Sequence, residues 1–107
     1  MYLIQLLLPA PGDVTSDESG ARNARTRAEL VERFGGLTAY VQTPALGEWT
    51  TPEGDRARDR VVMVEVVTPQ FDRAWWRSYV ATLAERFHQD AIHVRALAVE
   101  MLDPDAA

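Results

Sequence analysis

Val61-Val62-Met63-Val64-Glu65-Val66-Val67 is the stretch that decides the fold. Its valines suit a pleated surface, so the run reads as a strand. Apolar side chains fall on both parities, Glu65 excepted. A strand built this way has both faces covered and belongs in the middle of a sheet.

On the C-terminal side, Thr68-Pro69 opens a helix predicted over about Gln70 to Gln89, with Thr68 or Asp72 as its N-cap. Trp76, Leu83 and Phe87 run down the centre of its apolar stripe, and Trp75, Tyr79, Val80 and Ala84 widen it. Arg73, Arg77, Glu85 and His88 fall on the other face. A last strand is expected over Ile92 to Met101. On the N-terminal side, the mixed charges of residues 45–60 read as a solvated hairpin tip. Leu37 to Thr43 alternates with period two, as a half-buried strand does, and Pro44 closes it. Before it comes a helix starting between Glu18 and Arg22. Ala24, Ala28, Val31 and Gly35 share one face of it, with Leu30 and Phe34 beside them. Gly35-Gly36 stops it. Tyr2 to Leu8 is a first strand, closed by Pro9-Ala10-Pro11-Gly12.

The order is β-α-β-β-α-β. That pattern predicts an α+β, ferredoxin-like sandwich: an antiparallel four-stranded sheet with both helices on one face. The first and third strands take the centre, and the second and fourth the edges. Residues 1–102 are expected to form a single domain, and 103–107 a frayed tail.

Composition narrows the function. The chain has 107 residues, 11 of them Arg, no Lys or Cys, and a net charge of −5. Without Cys there is no disulfide framework, thiolate metal site or thiol nucleophile. Without Lys there is no Schiff base. Net acidity opposes nucleic-acid binding, which needs a basic footprint. The first apolar run is too short for a membrane helix and has no basic residues before it. The expectation is a soluble, cytoplasmic protein with no nucleic-acid or membrane partner.

Alternation sorts the strands into two faces. One carries Ile4, Leu6, Leu8; Leu37, Ala39, Val41; Val62, Val64, Val66; Ile92, Val94, Ala96. Wholly apolar, it belongs under the helices. The other mixes large apolar groups (Leu3, Leu7, Met63, Val67, Leu97, Val99) with Gln5, Tyr40, Gln42, Glu65, His93 and Arg95. So much apolar surface calls for cover. The expected cover is a second copy packed sheet to sheet, a dimeric α+β barrel.

Two readings of the polar groups on that face stay open. In one, Glu65 and Arg95 pair through Gln5 and only fix subunit register. In the other, a polar-lined pocket takes a small organic molecule. Glu65 or His93 then serves as acid or base, Arg95 anchors an anion, and Gln5, Tyr40 and Gln42 line the site. Trp49, an aromatic on the polar hairpin, folds onto its own subunit or its neighbour, or covers a ligand. His88 sits where a helix dipole favours a solvated cation. One inward His with one Glu falls short of a metal site. No metal or other cofactor is expected. The third strand lacks the aromatics of RNA-recognition modules. No paired Cys of a copper chaperone is present, and PAPGDVT lacks the Arg of an acylphosphatase-like loop. No glycine-rich phosphate loop or nucleophile elbow occurs.

FGGLTAY (34–40), Gly47-x-Trp49, Asp59-Arg60-Val61-Val62, Asp72-Arg73-Ala74-Trp75-Trp76 and Arg86-Phe87-His88-Gln89-Asp90 occur in that order. This series resembles a family of small uncharacterised bacterial proteins with an FGG-[VL]-T, G-x-W and RF-x-Q-[ED] pattern. The resemblance spans about Glu29 to Val94. It implies the ferredoxin-like, dimeric α+β-barrel class and brings no activity or catalytic residues.

Overall fold

Burial along β1 (Tyr2–Pro9) follows its sequence alternation: Ile4, Leu6 and Leu8 are fully buried, and the residues between them half-exposed. The computed structural model describes residues 1–10, 17–50 and 52–102, with the side chains of 17–19, 42–45, 49 and 56–59 outside that description. The tail at 103–107 lies outside it as well. After β1 come α1 (Asp17–Phe34), β2 (Thr38–Thr50), β3 (Arg56–Thr68), α2 (Arg73–Arg86) and β4 (His93–Ala98).

The sheet has the order β2-β3-β1-β4. All its neighbours are antiparallel, with β1 and β3 central. This is the ferredoxin-like arrangement. Ile4 faces Val66, Leu6 faces Val64 and Leu8 faces Val62, so one parity forms a continuous apolar floor. Trp76, Tyr79, Leu83 and Phe87 of α2 and its C-terminus close over that floor with Leu30 of α1 and Ile92. Each large side chain buried this way contributes about 1.5–3 kcal/mol of transfer free energy. No helix among the described residues is long and apolar enough to cross a membrane.

Three expectations need correction. First, β2 and β3 do not stop at a solvated tip. They run on as a paired ribbon, in which Leu46 faces Arg60, Glu48 faces Arg58 and Thr50 faces Arg56. Gly54, at φ 90, sits in the turn. Between Tyr40 and Ala45 the register shifts, so the stretch around Pro44 bulges instead of ending the strand. Backbone pairing holds such a ribbon whatever its side chains, and its composition therefore resembles a loop.

Second, Val41 is 53% exposed and Ala96 is also exposed, although both share the parity of the covered face. Val41 lies at the register shift, and Ala96 lies on an edge strand.

Third, Ala24, Ala28 and Val31 of α1 point to solvent, and Asn23, Thr26 and Leu30 are buried. The polar inner residues have partners. Asn23 Nδ2 donates to the Pro9 carbonyl at 3.3 Å, and Thr26 Oγ1 to the Arg22 carbonyl at 2.8 Å. Thr26 Oγ1 also accepts from Arg86 Nη1 at 2.9 Å.

Arg86 clamps the helices together. Its Nη1 and Nη2 reach Glu29 Oε1 and Oε2 at 2.7 and 3.0 Å, and Tyr79 donates to Glu29 Oε1 at 3.0 Å. Two-pronged guanidinium–carboxylate bonding is the strong form of this contact. The Arg86 bond holds the Glu29 carboxyl below its ordinary value of 4.5 against a smaller opposing effect of burial. Burial, and then the bond to Glu29, push the Tyr79 phenol well up.

At the start of α2, Asp72 accepts from the Trp75 N–H at 3.0 Å, so Asp72 and not Thr68 is the N-cap. At its end, the Gln89 N–H reaches the Ala84 carbonyl and the His88 N–H the Glu85 carbonyl, which puts His88 at φ 55.

Two predictions follow from these termini and clamps. A lowered carboxyl pKa in the folded state adds stability that is present above pH 4.5 and is lost as pH falls through the folded pKa. Glu29→Gln should therefore flatten the acid limb of a stability–pH curve below that value, read by urea unfolding. His88→Gly relieves a left-handed Cβ and should raise stability by about 0.5 kcal/mol, with the denaturation slope unchanged.

Candidate functional site

Both helices cover one side of the sheet, so the other side presents the candidate residues. Register brings them together. Gln5 on β1 stands opposite Glu65 on β3 and opposite Arg95 on β4. Thr38 of β2 faces Glu65, which puts Tyr40 on the diagonal, within reach of a long carboxylate.

These four side chains form one hydrogen-bonded chain across all four strands. Arg95 Nε donates to Gln5 Oε1 at 2.6 Å. Gln5 Nε2 donates to Glu65 Oε2 at 2.8 Å, and the Tyr40 hydroxyl to Glu65 Oε1 at 2.7 Å. Each carboxylate oxygen is thus engaged, and Gln5 uses both ends of its amide. The guanidinium and the carboxylate are linked through Gln5. The bond to Glu65, and then its charge, raise the Tyr40 phenol above its ordinary 10.0. A carboxylate bonded this way is an anchor for neighbouring strands, and the positive end of the chain lies at the sheet edge.

Apolar rows flank the polar one. Leu3, Val67 and Leu97 align on one side of it, and Leu7 aligns with Met63 and His93 on the other. Val67 and Leu97 are 39% and 43% exposed. His93 shares the face but not the chain: it is exposed, and its side chain makes no hydrogen bond or ion pair with a described residue. The Gln42 and Trp49 side chains lie outside the described residues. Trp49 itself pairs with Ala57 far out on the ribbon.

Among the described residues, two depressions lie elsewhere. One, of about 310 Å³, is lined by Arg33, Thr68, Gln70, Asp72 and Trp75, among others. Its polar groups are committed: Asp72 caps α2, Thr68 bonds the Gln70 carbonyl, and the Arg33 guanidinium lies 4.0 Å from the Trp75 ring centre. The other, of about 370 Å³, lies between α2 and β4 and has Arg73, Arg77 and Arg95 in its wall. Sequence reasoning sent Arg73 and Arg77 to a plain solvent face. Their spacing of four places them on one side of a helix, a signal that was there to read. The Arg86–Glu29 clamp had no local signal, since its partners are 57 residues apart.

The Tyr40–Glu65 contact can be checked by NMR of ring-labelled tyrosine. Tyr40 should ionise above 10.0, and Glu65→Gln should move that transition down while the Tyr79 transition stays put.

No protein-family model matches the chain, and no curated protein matches it. Among solved structures, it is similar to a single-substitution variant of CutA1 from Pyrococcus horikoshii, with a TM-score of 0.62 over 98% of this chain and 89% of that one. Identity is 13%, so the likeness is one of fold. It agrees with the ferredoxin-like α+β class read from the order of elements.

Proposed function

We propose that the protein works as a homodimer joined through the open face of the sheet, each subunit a single unit over residues 1–102, and that this face is an interaction surface. The observation that carries this reading is the charge order Arg95–Gln5–Glu65 across neighbouring strands. A two-fold axis lying between two facing sheets and running along β1 would carry Arg95 of each copy over Glu65 of the other. An axis across the strands would set Arg95 over Arg95. The face is therefore self-complementary in one orientation and repulsive in the other, as an isologous interface requires. The flanking rows of Leu3, Val67 and Leu97 and of Leu7 and Met63 supply apolar area.

A second reading keeps a small organic ligand between the sheets. It is favoured by His93, whose side chain has no partner among the described residues on the same face. His93 or Glu65 would then be the acid or base, Arg95 the anion anchor, and Gln5 and Tyr40 would line the space. The bonds to both oxygens of Glu65 fix it in place with lone pairs still open to a guanidinium from above, which suits the interface reading.

Sedimentation equilibrium should give twice the monomer mass. Glu65→Arg should shift it toward the monomer, and the double variant Glu65→Arg, Arg95→Glu should restore the dimer, with circular dichroism confirming that all are folded. Leu97→Asp should also give monomers. A wild-type monomer at all concentrations would remove the proposal. If the dimer survives Glu65→Gln and His93→Ala, but these variants lose a ligand-induced rise in Tm that the wild type shows, the ligand reading replaces it. Ligand at 100 times its Kd should add about 2.7 kcal/mol.

A further inference from the structure

Away from the open sheet face, a groove of about 370 Å³ runs where α2 passes the edge strand β4. Trp76, Val80 and Val94 form its apolar lining, with Phe71 beside them. Arg73, Arg77 and Arg95 complete the wall. All three arginines are exposed, and none forms an ion pair with a described residue. Arg73 lies over the Phe71 ring at 5.2 Å, and Arg95 commits only its Nε, to Gln5. Arg77 makes no hydrogen bond to a described residue.

The chain as a whole is acidic, at −5. Two guanidinium groups, those of Arg73 and Arg77, beside one apolar groove in such a chain make a local positive pole that favours an anion there, while the Arg95 head is turned to Gln5 on the open face. A guanidinium offers parallel N–H donors that match a carboxylate, sulfonate or phosphate head in two-pronged fashion. The apolar lining asks for something different, a hydrocarbon or aromatic body. The volume lies in the range of small-molecule sites.

We propose that this groove binds a small amphipathic oxyanion. Its apolar body lies against Trp76, Val80 and Val94, and its anionic head faces Arg73 and Arg77. The site is complete within one chain and lies beyond the sheet face, so it does not rest on the homodimer.

The probe is 8-anilinonaphthalene-1-sulfonate, an aromatic body with one oxyanion, titrated by fluorescence. Its neutral counterpart is N-phenyl-1-naphthylamine. The sulfonate should bind saturably at one site per chain, about tenfold or more tighter than the neutral compound. The double variant Arg73→Ala, Arg77→Ala should weaken it to a similar degree with Tm held. Val80→Trp, which fills the groove, should abolish it. Octanoate should displace the probe, and inorganic phosphate should not.

Equal affinity for the neutral compound would overturn the proposal. So would undiminished binding in the double-arginine variant, or no binding by the wild type. Displacement by a tetra-aspartate peptide at lower concentration than octanoate would mark the groove as a docking site for acidic protein segments and would also overturn it.

Discussion

The pairing of β1 with strands on both sides is the constraint from which the rest of the structure follows. A strand's side chains alternate with a period of two, so one slip of register would move Ile4, Leu6 and Leu8 out of the core and Gln5 into it. Burying Gln5 under α2 would strand its amide. Exposing three large aliphatic groups would lose several kcal/mol of transfer free energy. The polar chain reinforces the same register from the other side. Gln5 can bond Glu65 and Arg95 together only when all three stand in one row. The two faces of the sheet thus demand one alignment for unrelated reasons.

The helix layer is held differently. A wholly apolar inner stripe on α1 would let the helix slide or rotate on the sheet with little change in energy. Thr26 and Glu29 instead meet Arg86 and Tyr79 of the other helix in directional bonds. The aromatic group of Phe34, Trp75, Trp76 and Tyr79 packs beside that clamp, with Phe34 stacked on Trp76 at 5.3 Å and Trp75 edge-on to Trp76 at 4.8 Å. Together these contacts fix α1 and α2 against each other over the sheet.

What could be read from the sequence divides along the same line. Val61–Val67 and Tyr2–Leu8 display their period openly, so alternation put Gln5, Glu65 and Arg95 on one face, and the order of the elements supplied the order of the strands. The inner face of α1 did not show in the same way, because the partners that make Asn23 and Thr26 fit indoors come from distant segments. Hydrophobicity sends such residues outward, and Ala24, Ala28 and Val31 inward. The outer half of the β2–β3 ribbon was hidden for a different reason. A two-stranded ribbon gets its order from backbone bonds, which leave no mark on side-chain character. His93 was correctly placed on the open face by parity, yet parity cannot say that it stands one row away from the bonded chain.

Arginine links these features physically. Arg86 is enclosed and bonded by two prongs to Glu29, Arg33 lies over the Trp75 ring, and Arg95 spends one N–H on Gln5. All three uses draw on the planar, permanently charged guanidinium. A lysine would give the bare charge without the fork or the stacking plane. The chain has no lysine, so its positive charge can be fixed in direction wherever it meets a partner. Arg73 and Arg77 carry the same planar groups on an otherwise acidic molecule, without a carboxylate among the described residues to orient them. Arg73 lies over the Phe71 ring, and Arg77 has no hydrogen-bonding partner among the described residues. An anion in the groove would give both the charged partner that Glu29 gives Arg86.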